Sequence, residues 1–262
     1  MSEPEPVLVG VDFTASTLRL MLGTVAGEIV FRQDYPLPAL EDEEKWAWEV
    51  GGRIAAAFAA DGHQRWALGI GVACPGAVDT AAGVLVESIE APHWDGLHVV
   101  DAIRRHIDAP VVAIGRVEAA LRGEAASGAA SGAFDALYVS LADGPGSAIL
   151  SSGRVVGGAH GRAGALPAFP ALTEGEPLDG DDLEQATALL ADAVALLDPA
   201  IVVIHGPAEH AGPLSSVLSG VLEEMAPEVT VVPGALGDYA ALLGAFQAAS
   251  IVAYEGERDD ES

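Results

Sequence analysis

Two stretches of this chain repeat one order of apolar runs and turns. VLVGVDFTASTLRLMLGTVAGEIVF, residues 7–31, reads as a strand, a loop at Asp12 to Thr17, a second strand, a tight AGE turn and a third strand. ALYVSLADGPGSAILSSGRVVGG, residues 136–158, runs through the same order, with SGR as the tight turn. Gly27 can take the positive φ that a short hairpin needs. The likeness is one of pattern rather than of residues. A repeat at about half the length of a 262-residue chain still predicts two duplicated lobes.

Each hairpin leads into segments that are helical or fully apolar. Trp46, Val50, Ile54 and Phe58 recur every four residues, which predicts a helix over 41–60. WALGIGVACPG is a buried strand, LHVVDAIRRHI a helix, PVVAI a strand and VEAALRGEAASGAA a helix. In the second half, residues 165–182 read as a loop. DDLEQATALLADAVALLD is a helix that Asp181 or Asp182 can cap. PAIVVIHG is a strand, GPLSSVLSGVLEEMA a helix, EVTVVPGAL a strand and DYAALLGAFQAASIVAY a closing helix. The expected division is an acidic leader 1–6, a first lobe 7–133, a second lobe 134–254 and a disordered acidic tail 255–262. Two lobes of this kind describe an α/β chain with the actin-like ATPase (ribonuclease H-like) fold. In that fold the hairpin loops wrap a nucleotide's phosphates and the substrate lies in the cleft.

Charge narrows the function. Acidic residues number 39 against 12 basic ones, a formal net charge of −27, and Lys45 is the one lysine. Such a chain repels phosphate backbones, and no basic cluster exceeds Arg104-Arg105-His106, so direct nucleic-acid binding is not expected. A single cysteine, Cys74, excludes an internal disulfide and a cysteine-rich zinc site; following an apolar run, it reads as a buried thiol. No apolar run approaches the ~20 residues of a membrane helix, and MSEPEP lacks a secretion signal's basic start. A cytoplasmic protein is expected.

Four segments in order resemble the ROK family (repressors, open reading frames and sugar kinases). VGVDFTASTLRLMLGTVAGEIV is similar to its first phosphate loop. GIGVACPGAVDTAAGVL and APHWDGLHVVDAI resemble its Pro-Gly-Pro-Val-Asp turn and the tryptophan-bearing loop on the sugar side. YVSLADGPGSAILSSGRVVGGAHGRAGAL is similar to the second phosphate loop and the glycine-rich run after it. LLDPAIVVIHG and GDYAALLGAFQAA resemble the adenosine-side strand and the closing helix. The segments AGEIV and GGAHGRAG resemble the regulator branch more than the kinases.

The resemblance implies a sugar kinase mechanism whose parts can be sought one by one. Its base is the aspartate of an Asn-Asp pair at a strand-to-helix junction. Aligned through Ala119, Ala120 and Glu124, Gly115 stands on the asparagine and Arg116 on the aspartate. A guanidinium cannot accept a proton at neutral pH. In the first phosphate loop Asp12 keeps the place of the Mg²⁺-side aspartate. Thr14 and Ala15 occupy glycine positions and Ser16 the threonine's, which costs close approach to phosphate. In the second loop Ala142, Asp143, Gly144, Pro145 and Gly146 stand for Gly-Thr-Gly-Ile-Gly. Asp143 there adds negative charge and Pro145 removes a donor. His205 replaces the first of two adenosine-side glycines, leaving Gly206. Ala165 and Pro167 stand for the glutamate and histidine of the family's zinc motif, whose cysteines are missing. His93, Trp94 and Asp95 keep the form of the sugar-side loop, while Glu90 falls near its asparagine.

Each candidate has a plainer reading beside the functional one. Arg116 either recognises an anionic sugar or acid, or is ion-paired to Glu118, Glu124 or Asp143. Glu124 either binds substrate or is an ordinary helical glutamate. His160 and the pair His93 and Trp94 either touch ligand or pack their loops. Asp12 holds a cation or nucleotide only if partners it lacks are supplied. His205 and His210 have no metal-type surroundings. The expectation is a catalytically degenerate ROK protein, a regulator or scaffold sensing a sugar or metabolite without phosphotransfer. No cofactor and no zinc are expected. The alternative is an ATP-dependent, glucokinase-like sugar kinase with a rebuilt site, using ATP and Mg²⁺. The first strand begins within a few residues of the start, so no DNA-reading element is expected ahead of it. A homodimer is left open by the resemblance.

Overall fold

The computed structural model describes residues 4–38, 42–88, 91–142, 145–166 and 169–260. In chain order the elements are β1 (Glu5–Phe13), β2 (Thr17–Gly23), β3 (Ile29–Pro36), α1 (Glu43–Phe58), β4 (Arg65–Cys74), β5 (Ala77–Asp79), β6 (Val84–Glu87), α2 (Val99–Arg104), β7 (Val111–Gly115) and α3 (Arg116–Ser127). The second half adds β8 (Ala136–Ser140), β9 (Gly146–Ser151), β10 (Arg154–Val155), α4 (Gly180–Leu197), β11 (Ile201–His205), α5 (Ala208–Met225), β12 (Thr230–Pro233) and α6 (Ala240–Asp260).

Two five-stranded sheets carry the architecture, ordered β3-β2-β1-β4-β7 and β10-β9-β8-β11-β12. In each, an antiparallel hairpin of three strands leads into two parallel strands beside the first. The duplicated pattern in the sequence is thus one strand order used twice, the actin-like plan. The second hairpin turns through Ser152 and Gly153, both at positive φ, as Gly27 does in the first.

The chain forms two compact units, but not by a single cut near residue 133. One unit takes the chain up to Gly123 together with the segment from Ala241, and the other runs Glu124–Ala240. The closing helix therefore belongs with the first sheet. Its seat is made by glycines: a Cβ on Gly69 or Gly71 of β4 would collide with Ala249 O or Ala245 O, and one on Gly10 would come 2.9 Å from Leu242 O. Those strands can receive a helix backbone only because they lack side chains there. The first core gathers Val9, Val11, Phe13, Trp46, Val50, Ile54, Ile70 and Val72. The second gathers Val139, Leu190, Val194, Val202, Leu214, Leu218 and Leu222.

Three boundaries differ from the sequence reading. At α4 the N-cap position is Asp179, without a side-chain cap bond, and Asp181 and Asp182 lie in the first turn, where carboxylates favour the helix dipole. Helix α5 starts at Ala208 and contains Pro213. The carbonyl that this proline leaves without its helical partner, Glu209 O, accepts from Leu178 N at 3.1 Å. Helix α6 continues to Asp260, so residues 255–260 are helical rather than a disordered tail. The single glycine in that stretch lowers helix propensity but does not by itself end a helix. No described helix is long and apolar enough to cross a membrane.

Candidate functional site

The parallel strands β1, β4 and β7 end side by side. Asp12 on β1 faces Ala73 on β4, and Cys74 of β4 faces Gly115 on β7. At this edge the chain places Asp12 with no exposed surface. Such a carboxylate needs partners, because an isolated charge is costly to desolvate. Two guanidiniums supply them. Arg116 Nε, at the first residue of α3, donates to Asp12 Oδ1 at 2.8 Å, and Arg19 Nη1 donates to Asp12 Oδ2 at 2.9 Å. The two arginine side chains are themselves 16% and 14% exposed.

Arg19 was not among the candidates, yet its place is set by the first hairpin. A short loop after Phe13 fixes the register Phe13↔Leu18 and Asp12↔Arg19, and the next strand pair sets Arg19↔Asp34. Opposite charges directly across strands attract. Arg19 Nε lies 3.6 Å from Asp34 Oδ2, an ion-pair distance but too long for a hydrogen bond, and that nitrogen makes none. Charges thus alternate along the row Asp34, Arg19, Asp12 and Arg116.

Arg116 pairs with Asp12 rather than with the expected Glu118 or Glu124, and the third expected partner, Asp143, lies outside the described residues. Glu118 binds Arg122 instead, at 2.9 Å along the helix. Glu124 is fully buried in the second unit, where Oε2 accepts from Ala129 N at 2.6 Å and Oε1 from Leu236 N at 2.9 Å. Its carboxylate ties the start of that unit to the segment after β12 and is not open to a ligand. Asp143 and Gly144 lie outside the described residues, as do Glu90 and Pro167.

The first loop is closed on itself. Thr14 Oγ1 accepts from Ser16 N at 3.3 Å and from Thr17 N at 3.1 Å, and Thr14 N donates to Thr17 O at 2.9 Å. The loop amides of Ser16 and Thr17 are thus already bonded to the Thr14 side chain. Gly115 has little room for the family's asparagine, since a Cβ there would stand 3.1 Å from Gly76 O. A magnesium ion on Asp12 would have to enter between two guanidiniums already bonded to its oxygens. As folded, this donor set does not fit a hard cation that demands several oxygens. Among the described residues no three His, Cys, Asp or Glu side chains group as a metal requires.

The remaining candidates are dispersed. Trp94 is buried and packs edge-on to Phe13 at 5.4 Å, with exposed His93 tilted against it at 5.0 Å. Asp95 Oδ1 accepts from Ser88 N, which fixes that loop. In the second unit Gly146 opens β9 opposite Ser140. His160 sits exposed in a turn whose far end is held by Ser147 Oγ donating to Gly164 O at 2.6 Å. Gly206 follows β11 at φ 153°, where a Cβ would come 2.7 Å from the Leu141 side chain. His205 lies 3.7 Å from Asp238. Buried His210 holds Thr173 O through Nε2 at 3.0 Å. Cys74 is buried, and burial first, then the nearby Asp12 charge, pushes its thiol pKa far up.

Comparison with known proteins places this geometry among relatives. The model of the ROK family matches residues 8–172. A glucokinase from Halalkalibacterium halodurans is 27% identical over 177 residues, which cover 64% of this chain and 51% of that protein. A xylose repressor from Caldicellulosiruptor bescii is 24% identical over 162 residues, 61% of this chain and 40% of the repressor. The chain spans about half or less of the length of these curated relatives. The crystal structure of a ROK family glucokinase from Streptomyces griseus in complex with glucose and AMPPNP superposes with a TM-score of 0.72 at 19% identity, covering 93% of this chain and 99% of that one. At that identity the likeness is one of fold.

Proposed function

Because the chain belongs to the ROK family, we propose that it is a member that binds a sugar or related metabolite as a regulatory or scaffold protein and transfers no phosphate. One observation carries this reading: Arg116, which the resemblance sets at the family's base position, is bonded to Asp12. Phosphoryl transfer to a sugar hydroxyl needs a carboxylate that takes the proton as the bond to phosphorus forms. A guanidinium with a pKa above about 12 cannot do so. Its bond to Asp12 also holds the second carboxylate of the reaction away from magnesium. The closed Thr14 loop supports the same reading from the phosphate side. The sugar part of the reading rests on the family and on exposed His93, set against the buried Trp94.

The second reading is an ATP-dependent sugar kinase, favoured by the 27% identity to a glucokinase. It requires a base other than Asp12, Glu118 or Glu124, all of which are already bonded. A coupled assay of ADP release with ATP, Mg²⁺ and glucose or xylose separates the two. No turnover above buffer and no heat on titrating ATP-Mg²⁺ are expected, together with a higher Tm in millimolar glucose, xylose or their phosphates. Sustained turnover or micromolar nucleotide binding would sink the non-phosphorylating reading. Failure of every sugar and sugar phosphate to raise Tm would remove the ligand part.

A further inference from the structure

Helix α5 carries two apolar stripes, and only one is used by its own unit. His210, Leu214, Leu218 and Leu222 face the core. Beside them Val217, Val221 and Met225 repeat at i, i+4 and i+8, at 41%, 38% and 47% exposed. An ordinary surface helix keeps such positions polar. These three residues, with Gly220 and Glu224, form one continuous solvent-open face of the helix.

Gly220 has no intramolecular reason to be glycine. It lies inside the helix without a positive φ, and a Cβ added to it would meet no atom within 4 Å. Glycine in a helix interior is destabilising relative to alanine. What it provides is a hole among larger side chains, of the kind into which a neighbouring helix inserts a knob.

The charge beside this face selects the occupant. Glu223 and Glu224 stand in the last turn of α5 and Glu228 just beyond it, and the last turn has no basic residue. Carboxylates at a helix C-terminus oppose its dipole, and cations there relieve it. From the geometry we infer that this face docks an amphipathic helix of a partner protein, with aliphatic residues on one side and lysines or arginines flanking them. The second unit of another copy does not offer such a helix, since neither of its basic residues lies in a described helix. The chain's 12 basic residues are scattered along 262 positions, and only Arg154 and Arg162 fall within the second unit.

The test uses the full chain and a fluorescent, stapled amphipathic peptide as long as α5, with leucines on one face and lysines beside them. Its twin carries glutamates in place of the lysines. The lysine peptide is expected to bind saturably, to weaken as salt is added, and to protect amides of 212–228 from hydrogen exchange. Gly220→Leu, which fills the hole, and Val221→Asp should each weaken it at least about tenfold. Gly220→Ala should raise Tm, which shows that the helix tolerates a side chain there. Equal binding of the glutamate peptide, no saturable binding, or indifference to both substitutions would overturn the inference. So would vesicle binding or self-association that Val221→Asp abolishes, since either would name a different occupant.

Discussion

Removing the Asp12 carboxylate tests the charge row at its centre. Asp12→Ala deletes two charge-assisted hydrogen bonds at 2.8 and 2.9 Å and leaves Arg116 and Arg19 facing each other without the charge that joined them. Bonds to charged groups contribute about 1.5–3 kcal/mol each. Water reaches the guanidiniums slightly, at 16% and 14% exposure, so the two contributions should not simply add. Breaking a buried pair by deleting one partner costs about 3–5 kcal/mol, and that is the expected loss. At about 2–4 °C per kcal/mol for a unit of this size, Tm should fall by about 6–20 °C. All four tryptophans, Trp46, Trp48, Trp66 and Trp94, lie in the first unit, so urea unfolding followed by their fluorescence reads that unit. Arg116→Met alone should cost less, because Arg19 still holds Asp12. A double-mutant cycle of Asp12→Asn with Arg116→Met should return a coupling of about 1.5–3 kcal/mol. A loss under about 1 kcal/mol for Asp12→Ala, or a coupling within about 0.3 kcal/mol of zero, would refute the pairing as a stabilising contact.

Other consequences are independent of that row. Glu124→Ala should destabilise the second unit by about 3 kcal/mol, since the amides of Ala129 and Leu236 lose their acceptor; hydrogen exchange at those two amides should rise first. Cys74 should resist alkylation until the unit unfolds. Its raised pKa also makes stability fall as pH rises past about 9, the value of the exposed thiol, because only the unfolded chain can then ionise it. Burial opposes the charge of Glu43, but its bonds to Arg105 and to the His98 amide outweigh that and hold its pKa below the usual 4.5. The stability it supplies is present above that value and lost as pH falls through the lower folded one. Because Glu43 and Arg105 are 29% and 51% exposed, Glu43→Gln should cost only about 0.2–1 kcal/mol at neutral pH and nothing measurable in strong acid.

The sequence by itself determined the duplicated hairpins, the α/β class, the family, and the absence of an acceptor at Gly115 and Arg116. Each of these is a matter of residue type and local order, which spacing and side-chain chemistry report directly. It did not determine where Arg116 points. Of the expected partners, Glu118 and Glu124 are bonded elsewhere and Asp143 lies outside the described residues, while Arg116 bonds to Asp12, 104 residues away. Only the parallel pairing of β1, β4 and β7 brings those ends together, and sheet order is a long-range property that no local pattern encodes. Arg19 lay within reach of sequence reasoning, because a hairpin's loop length fixes its register. The seat of α6 on Gly10, Gly69 and Gly71 was likewise written as glycines, but which helix fills them depends on the chain's return to the first unit. The same holds for Glu124, a helical glutamate by pattern whose burial comes from the segment after β12 folding back over it.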